Sequence, residues 1–212
     1  MTGRRGIFAG LLLGLLAFAA PAQAVVTITF YTHELSMAPG LNTYFPHGFV
    51  LLNGTSEDGT AVRTNLGFTA RNVFFNILWE KVTGEMDPVP LPAGYVEGAI
   101  RHFAFPLTEV QYRAVMATAE KWRTAPQPSY DIDSTNCVTF VKEVAQAAGL
   151  LVSEDKKFIR APGDFVPDIA RRNAPFLAQY GLQPAPATPV SDPDALQRRM
   201  QQLERDARER AN

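Results

Sequence analysis

The chain has one cysteine, Cys137, and it follows three residues of the type that opens helices, Ser134, Thr135 and Asn136. Any of the three as N-cap puts Cys137 in the first helical turn. Unpaired N–H groups and the positive end of the helix dipole lie there. Both stabilise a thiolate, and helix N-termini are where cysteines become reactive. The same N–H groups can receive the oxygen of a tetrahedral intermediate. One position thus offers a nucleophile and part of an oxyanion hole. Packing is the competing account. Cys137 also heads the apolar stripe Val141, Val144 and Ala148, and free cysteine is often a small buried hydrophobe.

A nucleophilic thiol needs an imidazole to move its proton. The histidines are His33, His47 and His102. His47 opens the apolar run 47–52, which reads as a strand, and a strand is a rigid mount for a base. Gly48 leaves its surroundings open. His102 reads as an ordinary strand residue. His33 lies in or near a loop and could line the same cleft, as could the acids Glu34 and Asp133, which otherwise read as surface or capping groups. The imidazole in turn needs an orienting polar group. Runs 47–52 and 61–68 form a hairpin, and a turn centred between Asn53 and Thr60 sets His47 near Leu66. Thr64, Asn65 and Thr69 are then within reach, and Asn65 fits best by type, since its amide oxygen can accept from a ring N–H.

The elements that must position these groups are legible in outline. Residues 25–31 alternate, with Val26, Ile28 and Phe30 on one face and Thr27 and Thr29 on the other, a strand pattern. A loop rich in Pro, Gly and Asn covers 33–46. Thr69 caps an expected helix over 70–82, residues 87–93 form a proline-rich loop, and 95–105 hold one or two short strands. Thr108 and Gln111 make a capping box for a helix to about Trp122, with Leu107 and Tyr112 as its staple. A second helix spans 135–148 and stops at Gly149. A third covers 164–180, interrupted by Pro167 and Pro175. The fold class is therefore α+β, a small antiparallel sheet packed against helices.

The ends carry different signals. Arg4 and Arg5, an apolar run from Gly6 to Ala20, and small residues before a cut after Ala24 together read as a cleavable signal peptide over 1–24. The expected address is the periplasm or the exterior of a bacterial cell. A domain over 25–183 follows, then a proline-rich linker and a charged helix over 184–212. That helix has a narrow stripe of Leu196, Met200, Leu203 and Ala207 and balanced charge. It reads as a solvated helix or as a docking element for a protein partner. The net charge of −1 shows no basic excess, so nucleic acid is not the expected partner. One cysteine and scattered histidines make no metal cage, and neither metal nor cofactor is expected. Asn53-Gly54-Thr55 matches a glycosylation sequon but reads as turn chemistry.

The strand bearing His47 in Phe45-Pro-His-Gly-Phe-Val50, followed far downstream by Asn136-Cys-Val-Thr-Phe-Val141 at a helix start, resembles the NlpC-type papain-fold thiol hydrolases. The order, histidine strand before cysteine helix, resembles the circularly permuted branch that includes lecithin:retinol acyltransferase-like proteins. The resemblance covers roughly 29–151. It implies a papain-like fold and a Cys–His–polar triad on Cys137, His47 and Asn65. Some permuted members carry a second histidine on the next strand, and this chain has none there. It further implies hydrolysis or acyl transfer at an amide or ester through a Cys acyl-enzyme. Exported substrates would be cell-wall peptides or acyl lipids. The alternative is a non-catalytic binding or scaffold domain that retains the fold.

Overall fold

The computed structural model of the protein describes residues 25–34, 45–73 and 75–181. The expected signal peptide, most of the 33–46 loop and the linker with its C-terminal helix lie outside them. Six antiparallel strands form one sheet: β1 Val26–His33, β2 His47–Thr55, β3 Ala61–Ala70, β4 Val82–Met86, β5 Ile100–Leu107 and β6 Ser129–Tyr130, in the order β5-β1-β2-β3-β4-β6. Four helices follow or interleave: α1 Glu109–Arg123, α2 Cys137–Ala147, α3 Pro162–Arg172 and α4 Ala174–Ala178. The α+β expectation holds. None of the helices among the described residues is long and apolar enough to cross a membrane.

The expected alternation builds the core. Val26, Ile28 and Phe30 are buried, as are Val50 and Leu52 of β2 and Phe103 and Phe105 of β5. Phe30 stacks on its β5 partner Phe103 at 4.5 Å between ring centres. Val141, Val144 and Ala145 of α2 and Phe165, Val166 and Ile169 of α3 join the same core. The opposite face gathers a second aromatic group around Phe49, where Tyr31, His33, His47 and Tyr95 lie within 6.0 Å of its ring or of one another. Residues 87–99, which form no regular element, supply Tyr95 to that face.

Local chemistry predicts two helix starts well. Thr108 and Gln111 form the capping box of α1. Asn136 is the N-cap of α2, and Gly149, with φ of +85°, follows its end. Two other expectations need correction. The β2–β3 hairpin exists, but Gly67 lies opposite Phe49 and Leu66 opposite Val50, so the register differs from the expected one. Asn53-Gly54 does not turn the chain. Both strands run on to Thr55 and Ala61, and the turn is the tighter Ser56–Thr60 segment. Gly54 (φ +144°) is instead an in-strand residue whose absent Cβ would sit 2.0 Å from the Val25 carbonyl oxygen. The expected helix over 70–82 is also absent. β3 continues to Ala70 and pairs with β4, and only Phe75–Leu78 make a short 3-10 turn. Phe68 and Ala70 bury themselves by staying in the sheet, and that tertiary pairing overrides the local apolar pattern.

Candidate active site

The approach to Cys137 is set by β6 and a tight turn. Tyr130 pairs with Val82 of β4. Asp131 then organises the turn: its carbonyl accepts from Ser134 and Thr135 N–H, and its carboxylate accepts from Asp133 N–H. Asn136 follows in extended conformation, and its side-chain oxygen accepts from the N–H groups of Val138 and Thr139 at 2.8 and 3.1 Å. Its amide nitrogen donates to Ile132 and Ile159 carbonyls, both at 2.7 Å. The cap residue is thus saturated and fixed. It takes up the second and third N–H groups of the helix and leaves that of Cys137 as the first-turn donor with no such partner among the described residues.

His47 begins β2 beside α2 and α3, where a Cβ on Gly48 would make ordinary contact with Pro162 and Val141, at 3.4 and 3.5 Å. The Cys137 sulfur lies near enough to the His47 ring and the Tyr130 hydroxyl to influence the ionisation of both. The other side of the ring meets Asp87: His47 Nε2 lies 2.9 Å from Asp87 Oδ2, both groups buried. Asp87 engages Nε2, which leaves Nδ1 as the ring nitrogen available to the sulfur. Burial alone would lower the His47 pKa. The Asp87 charge and hydrogen bond, then the Cys137 contacts, outweigh it and raise it to about 10. His47 therefore carries its proton at neutral pH. Tyr130 is shifted upward, first by burial and then by Cys137 and Asp87, so its phenol stays protonated.

Of the site residues expected from sequence, Cys137 and His47 meet. Asn65 does not touch His47. Its register position is opposite Leu51, and its Nδ2 donates to the Pro88 carbonyl at 2.9 Å. The side chain that meets the His47 ring is Asp87, the first residue of the 87–93 segment expected as a proline-rich loop. Its signal was faint: an acid between Met86 and Pro88, in a segment whose prolines restrict the backbone. Tyr130 was likewise missed. His33 is the register partner of His47, and its Nε2 lies 2.7 Å from the Tyr95 carbonyl, so it holds the 87–99 segment. His102 sits 2.7 Å from Thr32 Oγ1. Asp133 is held by Arg160 through two contacts of 2.6 and 2.7 Å.

Two neighbouring clefts share Phe45, Pro46, Ile77 and Tyr130. One runs past Cys137 to Ile132, Ile159 and Arg160. The other runs past His47 and Asp87 to Val73, Leu91 and Tyr95. Among the described residues, their walls carry no charged side chain beyond the His47–Asp87 pair and the Asp133-bound Arg160. Among the described residues no group of His, Cys, Asp and Glu is arranged to hold a metal ion. No family model matches the chain, and neither a curated protein nor a solved structure matches it.

Proposed function

We propose that the protein is an exported thiol hydrolase or acyltransferase, with Cys137 as nucleophile, His47 as acid and base, and Asp87 as the orienting carboxylate. The observation that carries this is the buried His47–Asp87 pair, 2.9 Å apart, set beside the buried Cys137 at the start of α2. A merely packed cysteine has no need of a buried ion pair beside it, and burying such a pair is costly unless something else requires it. The histidine strand, the cysteine helix and the polar third member also suit a papain-like fold in permuted order.

The Cys137 sulfur attacks a carbonyl carbon, and the carbonyl oxygen takes up the negative charge. The Cys137 N–H and the Tyr130 hydroxyl are the donors beside it. The intermediate collapses as the leaving group takes the proton held on His47, leaving a thioester on Cys137. The now neutral His47 takes a proton from water or an acceptor alcohol, which attacks the thioester. The product departs and the sulfur is released with the proton back on His47. Tyr130→Phe should therefore lower kcat on the order of 10²-fold with little change in KM, as expected for a donor used mainly in the transition state. A change confined to KM would remove Tyr130 from that role.

The apolar walls favour an uncharged acyl group, as in an acyl lipid, over a cell-wall peptide with several carboxylates. The test is a series of 4-nitrophenyl esters read by burst kinetics and intact mass. An acyl adduct on Cys137 is expected, with kcat/KM rising about fourfold per buried methylene. Absence of both burst and adduct would favour the non-catalytic scaffold instead.

A further inference from the structure

We propose that Gly67 and Asn65, neighbours on one face of β3, are positioning residues that set the Asp87 carboxylate against His47, Gly67 by having no side chain. The catalytic consequence rests on the function proposed above; the positioning itself rests on geometry.

Asp87 belongs to a segment without regular structure, so something else must fix it to within hydrogen-bond precision. β3 provides this at two points. The Gly67 carbonyl accepts from Asp87 N–H at 3.0 Å, and Asn65 Nδ2 donates to the carbonyl of the next residue, Pro88, at 2.9 Å. Residues 65 and 67 point to the same face, as alternate strand residues must. Together they pin the main chain on both sides of the Asp87 carbonyl and leave the side-chain torsions of Asp87 as its remaining freedom.

Space then settles where that side chain goes. A Cβ on Gly67 would lie 2.0 Å from Asp87 Oδ2, 2.7 Å from its Cγ and 3.1 Å from His47 Nε2. The ion pair therefore occupies the volume that any other residue at position 67 would fill. Backbone conformation does not demand the glycine, because Gly67 is not among the positive-φ residues. Glycine interrupts a strand at a cost in order, and accommodation of the pair accounts for it. Asn65, buried and facing the loop, has the same partner segment. It therefore belongs to the site through Pro88 rather than through His47.

The test reads the His47 titration by NMR in Gly67→Ala, Asn65→Ala, Asp87→Ala and the Gly67→Ala/Asp87→Ala double variant. The wild-type ring should titrate near 10. Gly67→Ala should lower its proton affinity at least tenfold, and Asn65→Ala by a smaller factor. In the Asp87→Ala background, Gly67→Ala should have a much smaller effect, because the severe clash is with the carboxylate that is gone and only the 3.1 Å approach to His47 Nε2 remains. An unchanged titration in Gly67→Ala, or a shift that adds in full on Asp87→Ala, would overturn the proposal. Should Gly67→Ala not fold, Asn65→Ala decides, and a wild-type titration there would overturn it. The readout needs no turnover. A shifted titration with no acyl adduct would retain the positioning and sink the hydrolase, and the reverse pattern would do the opposite.

Discussion

Cys137→Ser should abolish turnover, by up to about 10⁶-fold, while the fold survives. Serine nearly preserves the volume of the side chain, which is 3% exposed, and leaves the Asn136 cap in place. What it removes is a polarisable sulfur that an imidazolium and a helix N-terminus can hold as an anion. Because Cys137 is the chain's sole cysteine, iodoacetamide labelling should vanish in the same variant. In the wild type, the folded protein should be alkylated faster than the denatured one, since folding is what brings His47 to the sulfur. Stopped-flow acylation, intact mass and a thermal melt on the same samples check all three points. Wild-type acylation in Cys137→Ser would end the case for this nucleophile.

The parts of the site that sequence reasoning reached are those made by neighbours in the chain. Asn136 next to Cys137 is a local statement about capping, and α2 begins where capping says it should. His47 at the head of an apolar run is a local statement about a strand. The third member is a different kind of fact. Asp87 reaches His47 across forty residues of sequence, through the pairing of β3 with β4 and a loop folded back over the sheet. No strand is expected over 82–86, and without β4 nothing carries Asp87 toward β2. The same omission hides Tyr130, whose place depends on β6 pairing with β4. Amide chemistry suits Asn65 to a histidine partner, but the observed register sets it opposite Leu51 rather than beside His47. It nevertheless lies near the site, holding the segment that brings the true partner. Residue type was a sound guide; long-range register was not available from periodicity.

Gly67 extends the same lesson. Sequence alone presents it as an unremarked glycine within a strand. Its meaning appears only once the carboxylate and imidazole are seen to fill the space a side chain would occupy. Sites built at sheet faces can thus be encoded by absent atoms as well as by reactive ones. Such positions are invisible to a search for catalytic residue types.

Asp87→Asn should lower turnover on the order of 10²–10⁴-fold and flatten the alkaline limb of the stability profile. Burial opposes charge on His47, and the Asp87 charge and hydrogen bond lead the groups that overcome it and raise its pKa to about 10. A folded pKa above the unfolded value of 6.5 means the native state holds a proton that the unfolded chain gives up. The resulting stability is fully present below 6.5, declines as pH rises through the window, and is gone above about 10. At about 1.4 kcal/mol per pKa unit, the upper limit is several kcal/mol. Urea midpoints of the wild type should therefore fall from pH 6.5 to about 10. His33 and His102 act with the opposite sign. Burial lowers both, His102 to about 4, so their share is lost as pH falls below 6.5. Tyr130, shifted upward, acts only above the ordinary phenol range. The alkaline limb thus reports on the His47–Asp87 pair. In Asp87→Asn the amide lacks the charge, the largest upward cause is gone, and His47 gives up its proton at a lower pH than in the wild type. The proton destined for the leaving group is then missing above neutrality, which is why turnover and the stability slope should fail together. A variant that retains the wild-type slope would show that Asp87 is not what keeps His47 charged.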